Sequence, residues 1–205
     1  MRSGCLIKSR YKFFFVFLFT ILLIDCATPK KELSVKSILL YQKIPLKAII
    51  IFSPDRKAKV WHPDVALQGG IQRPVHPGRV LSEAAFQSMA MVFEDVAEAE
   101  SESEALKQGG QSIIDVLCQI TAPKDQAVLT AKVELQIRDP YGHVISSLQK
   151  DGSYHHFWTA VDDGAVHNAV LDAFEKIIPE MLNSKTLRDF ARDFPLIRAE
   201  RKKEK

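Results

Sequence analysis

The sequence is poor in the features that announce chemistry. It has three cysteines, Cys5, Cys26 and Cys118. Two of them lie in or at the end of an apolar leader, so Cys118 is left without a partner for an intrachain disulfide. No Gly-x-Ser-x-Gly places a nucleophile. The Gly69-Gly70 pair runs into Ile-Gln-Arg-Pro rather than into a helix that would cradle phosphate. His155 and His156 are neighbours in a predicted strand and point to opposite faces, which does not suit one metal. The expectation is a chain that is not an enzyme, with no catalytic residue, no cofactor and no metal.

A basic body is also missing. Of 28 Lys and Arg and 25 Asp and Glu, four bases and one acid fall in residues 1–25, which leaves 24 of each sign afterwards. A nucleic-acid surface needs a basic excess, so this balance argues against nucleic acid, and no nucleic-acid partner is expected. The remaining ~180 residues suffice for one domain around one core.

What the sequence does carry begins at Phe13–Ile24, an uncharged apolar run behind Arg2, Lys8, Arg10 and Lys12. Twelve residues make about 18 Å of helix, short of the ~30 Å hydrocarbon core of a bilayer. The run also lacks the polar face of a soluble helix. It reads as an export signal. Leu23-Ile24-Asp25-Cys26 resembles the lipobox of bacterial lipoproteins, with Asp25 where a small residue is usual. That resemblance implies removal of residues 1–25 and acylation of Cys26, and Ala27 after it implies an outer-membrane address. On the residues alone an uncleaved signal-anchor and a cytoplasmic protein with an apolar amino terminus stay open.

Residues 26–37 read as a solvated tether, with contact of Lys30 and Lys31 to anionic headgroups as the alternative. Ile38–Tyr41 and Ala48–Phe52 are short, Ile-rich runs, predicted as strands. The second is apolar on both faces and suits a central position. Residues 53–79 hold four prolines and three glycines and read as a long loop with a short strand at Lys59–His62. Trp61, His62, Asp64 and His76 are its candidate partner-binding residues. The spacing of His62, Asp64 and His76 matches no metal-ligand pattern.

Arg79–Val96 has the periodicity of an amphipathic helix, with Leu81, Ala85, Met89 and Val92 on one stripe. The acidic stretch 97–108 reads as its solvated, helix-tolerant continuation. Ile114, Val116, Cys118 and Ile120 alternate with more polar neighbours, which makes Cys118 a small buried hydrophobe rather than a reactive thiol. After a turn at Pro123–Gln126, the alternation from Leu129 to Ile137 predicts a one-sided strand. Asp139-Pro140-Tyr141-Gly142 is a turn, Val144–Leu148 the returning strand, Asp151-Gly152 a turn or bulge, and Tyr154–Thr159 its extension. Gly164–Leu182 repeats apolar residues at steps of three and four, with Asp162 or Asp163 as cap and Pro179 as a source of kinking. The chain from Lys185 onward is charged and reads as a frayed tail.

This pattern predicts an α+β fold: a mostly antiparallel sheet of four to five strands, with two helices packed on one face. The body spans residues 38–184 and the charged tail residues 185–205. The leader with its cysteine, the strands from residue 112, the helix around Ala165–Leu182 and the Thr186-Leu187-Arg188-Asp189-Phe190 segment resemble the YajG-type lipoproteins and, more distantly, the amino-terminal domain of TolB. The resemblance implies an outer-membrane lipoprotein facing the periplasm, without assigned catalysis. The expected role is a non-catalytic binding or scaffold module, held to the membrane by its lipid and meeting an envelope protein partner. The alternative is a lipid or glycolipid carrier with a pocket between helices and sheet.

Overall fold

Strict alternation produces the central strands. In β4 (Val128–Arg138), Leu129, Ala131, Val133, Leu135 and Ile137 are buried while Lys132, Glu134 and Gln136 face solvent. It pairs antiparallel with β3 (Ser112–Thr121), Ile114 opposite Ile137, and with β5 (Val144–His155), Leu135 opposite Leu148. The β4–β5 turn closes through the Gly142 N–H on the Asp139 carbonyl at 3.1 Å. The Asp139 carboxylate accepts from the N–H groups of Tyr141 and His143 at 2.8 and 2.9 Å. This computed structural model describes residues 30–33, 42–63, 74–122, 128–155 and 161–203. The leader, Cys26, Asp64, Ile38–Tyr41, the Pro123–Gln126 turn and Thr159 lie outside the described residues.

Two further strands complete the sheet. β1 (Ile44–Ile51) runs parallel to β3, and β2 (Phe93–Ala99) runs parallel to β1, giving the order β2-β1-β3-β4-β5. The architecture is α+β and the sheet is mixed, with the longer ladders antiparallel. Five helices are described: α1 (Pro54–Ala58), α2 (Pro77–Val92), α3 (Glu102–Lys107), α4 (Asp163–Leu182) and α5 (Lys185–Lys203). α2 and α4 cover one face, where Met89, Val170, Phe174 and Ile177 meet Ile50, Val116 and Leu135 in the main core. Each large side chain buried there contributes about 1.5–3 kcal/mol. β1 is covered on both sides, because Ile49 packs with Ile113 and with Ala105 of α3 on the opposite face. Asp162 caps α4 by accepting from the Ala165 N–H at 2.8 Å. The α4 helix then runs without interruption through Pro179.

Several expectations need correction. The second helix ends at Val92, and Phe93–Ala99 is a strand rather than its last turns. Glu and Ala favour helix locally, but pairing with β1 satisfies this backbone and buries Phe93, so tertiary context overrides propensity. The acidic stretch is therefore the end of β2 and the short α3, capped by Ser101. The 53–79 loop contains α1, and its expected strand reduces to an isolated bridge in which Trp61 and Val75 exchange bonds of 2.8 and 2.9 Å. Asp151-Gly152 neither turns nor bulges β5. Gly152 pairs in register with Ala131, and an added Cβ would stand 2.0 Å from the Ala169 carbonyl oxygen of α4. The glycine marks a close approach of helix to sheet. The tail is not frayed: Leu187, Ala191 and Phe194 of α5 join the core. Residues 30–33, expected in a solvated tether, pack on the body, with Leu33 buried.

Candidate functional site

β1 and β3 are unequal neighbours. They pair only from Ala48–Ile51 to Ser112–Asp115, yet β3 continues to Thr121. At Phe52 the chain leaves the sheet, and Ser53 caps α1 by accepting from the Arg56 N–H at 3.4 Å. The second half of β3 therefore has no strand beside it on this edge among the described residues. Arg56 closes the gap in part: its guanidinium lies 5.0 Å from the Phe52 ring centroid and donates to the Val116 carbonyl.

That bond orients the edge. The N–H and C=O of one strand residue point the same way, and every second residue repeats the direction. With the Val116 carbonyl turned toward Arg56, the backbone groups of Cys118 and Ile120 also face away from β4. They open into a groove of about 470 Å³ between β3 and the segment Arg56–Trp61. At Gly78, which lines the groove, a Cβ would stand 1.7 Å from the Arg56 carbonyl oxygen, so α1 and α2 touch backbone to backbone.

The groove has an apolar ledge and a basic rim. Leu117 is 55% exposed and Val60 is 44% exposed, and both line the groove. Arg56 and Lys59 supply the charge, and among the described residues no carboxylate lines the space. Burial pushes the Cys118 thiol up to about 12, so it stays protonated and is a packing group rather than a nucleophile. An unpaired ladder, apolar positions and two cations suit reversible binding of an extended chain.

The structure divides the residues expected to bind a partner. Trp61 lines the groove. His62 is exposed beside it and does not line it. His76 precedes α2, donates its backbone N–H to Asp163 at 2.7 Å, and has its ring Nδ1 3.5 Å from the same carboxylate. It ties the start of α2 to α4. Asp64 lies outside the described residues. Among the described residues no group of three His, Cys, Asp or Glu could hold a metal ion. Sequence reasoning missed Arg56, Lys59, Val60 and Leu117. Leu117 had a signal, as an apolar side chain between Asp115 and Gln119 in the polar register of β3; Arg56 and Lys59 had none.

No protein-family model matches the chain, and no curated protein matches it. Among solved structures it is similar to PelC from Paraburkholderia phytofirmans, described as a dodecamer: 12% identity, TM-score 0.44, covering 70% of this chain and 95% of that one. It is similar to the lipoprotein GNA1162 from Neisseria meningitidis at 14% identity and TM-score 0.35, covering 68% and 100%. The hypothetical protein CT253 from Chlamydia trachomatis stands at 10% identity and TM-score 0.35, covering 67% and 96%. At these values the likenesses carry no argument about function or assembly, and the YajG-type assignment is not carried by any of them. Among the described residues no helix is long and apolar enough to cross a membrane.

Proposed function

We propose that this chain is a bacterial envelope lipoprotein, acylated at Cys26, whose body binds an extended segment of an envelope protein along the free edge of β3. The outer membrane, facing the periplasm, is the address that the residue after the cysteine suggests. The observation that carries the binding role is the stretch Leu117–Thr121, which among the described residues has no strand on the side facing Arg56 and Lys59. A partner strand there would gain main-chain bonds from Cys118 and Ile120, and a carboxylate on it would meet the basic rim. The carrier reading has less support. Between helices and sheet the described space is filled by fully buried side chains such as Phe174, Met89 and Leu135, while the groove lies open at the sheet edge.

A photo-crosslinking residue at Val60, compared with one at Gln149 on the open sheet face, tests this in intact cells. One discrete adduct is expected from position 60 and none from 149. Cys118→Pro removes an N–H that faces the groove while leaving the β4 ladder in place, and it should abolish the adduct without lowering protein level. Equal adducts from both positions, or an adduct that survives Cys118→Pro, would refute the reading.

A further inference from the structure

The segment Lys30–Leu33 is a strap, and its position relative to Cys26 bears on how the body sits. The Lys31 N–H donates to Asn168 Oδ1 at 2.6 Å, and its ammonium meets Glu175 at 2.6 Å, both on α4. Lys30 reaches across to Glu83 of α2 at 2.9 Å. Leu33 enters the core with 8% exposure. The two lysines are thus engaged by the body's own carboxylates. His167, buried close by, is held below its ordinary pKa by burial and by the Lys30 charge, so it stays neutral beneath the strap.

Cys26 stands four residues before Lys30. Fully extended, that length reaches at most about 14 Å. If acyl chains hold Cys26 at the bilayer surface, as the preceding reading requires, the strap lies within that distance of the headgroups. A domain on so short a lead cannot stand off on a stalk; one of its faces must lie on the lipid.

The outward stripe of α2 identifies that face. Arg79, Glu83, Phe86 and Ala90 follow at helical steps of four, three and four, so Phe86 sits about one turn from the Glu83 that receives the strap. Phe86 is 41% exposed, and Gln87 is exposed next to it. A single exposed aromatic needs no explanation by itself. Beside a strap that leads to a lipid anchor, its place matches that of an interfacial aromatic, with the ring at headgroup depth and charged neighbours in water.

We propose that the α2 face bearing Glu83 and Phe86 lies against the bilayer that holds the Cys26 acyl chains, with Phe86 at the headgroup–acyl boundary. The open, polar face of β3, β4 and β5 then points away from the membrane, because α2 and the open face lie on opposite sides of the sheet. This inference rests on the lipidated reading above. It deepens that reading by assigning the body an orientation.

The test uses the full chain, purified from membranes and reconstituted into phosphatidylethanolamine–phosphatidylglycerol liposomes. A Cys118→Ala background carries one nitroxide, at Gln87→Cys or at Gln149→Cys. The label at 87 should collide more with lipid-dissolved oxygen and several-fold less with an aqueous nickel chelate than the label at 149. Phe86→Ser should shift the label at 87 back toward the aqueous reagent. Equal nickel accessibility at both sites overturns the inference. Shielding from nickel without a gain in oxygen collisions also overturns it, because protein rather than lipid would then cover the face. Palmitate labelling of the wild type and Cys26→Ser separates the two claims. Absence of label defeats the lipidated reading, whereas a labelled protein with a water-exposed position 87 defeats the orientation alone.

Discussion

Gly152→Ala is the sharpest test of how α4 seats on the sheet. The new methyl carbon would lie 2.0 Å from the Ala169 carbonyl oxygen, 2.4 Å from the Ala173 amide nitrogen and 3.0 Å from the Ala173 Cβ. The first two are backbone atoms, so no side-chain rotation relieves them. They are roughly 1.5 Å inside ordinary van der Waals contact, and either α4 or β5 must move by a comparable amount. α4 is buried along most of its length, from Ala165 to Leu182, so displacement disturbs the packing of Val166, Val170 and Phe174 together. Overpacking of this kind costs about 1–3 kcal/mol, and the upper end applies where backbone must shift. The gain from replacing a strand glycine offsets about 0.5–1 kcal/mol of it. The net loss is about 2 kcal/mol, or ~4–8 °C in melting temperature for a chain of this size. Thermal unfolding followed by circular dichroism measures it, with Gln149→Ala on the open face as a control expected within about 0.5 kcal/mol of wild type. A Gly152→Ala protein that melts with the control would refute the close approach and restore the bulge reading, in which alanine is tolerated.

Three further outcomes follow from other parts of the molecule. Leu187→Ala should destabilise by about 2–4 kcal/mol in urea unfolding, because α5 contributes a fully buried leucine; a change near zero would return the carboxyl terminus to a solvated tail. Cys118 should resist iodoacetamide at mildly alkaline pH in the native protein and react on unfolding, since burial holds its thiol at about 12; rapid native labelling would contradict this. Stability should fall as pH drops through and below about 4. Burial alone would raise the carboxyls of Asp139 and Asp163, but hydrogen bonds from His143 and Tyr141, and from His76 and Arg79, outweigh it and hold both below their ordinary values. The unfolded chain then binds more protons, so this stabilisation is present above the unfolded carboxylate range and is lost as pH falls through the folded values. Asp163→Asn should flatten the acid limb of the urea midpoint against pH; an unchanged limb would remove Asp163 from the account.

The amino-acid order alone determined the elements whose pattern repeats over many residues. Leu129–Ile137 could only be a one-sided strand, because period two puts every apolar side chain on one face. The α4 stripe and its Asp162 cap were legible for the same kind of reason, as were the Asp139–Gly142 turn and the packing of a partly buried Cys118 against the core. Only the tertiary structure decided Phe93–Ala99, whose residues favour helix until β1 offers a parallel ladder. It also decided α5 and the Lys30–Leu33 strap, where a few apolar residues among many charges find a core that local pattern cannot see. The groove belongs to this second class. It exists because β1 leaves the sheet at Phe52 while β3 runs on to Thr121, and a mismatch in strand length is a property of two segments about sixty residues apart, written in neither one alone.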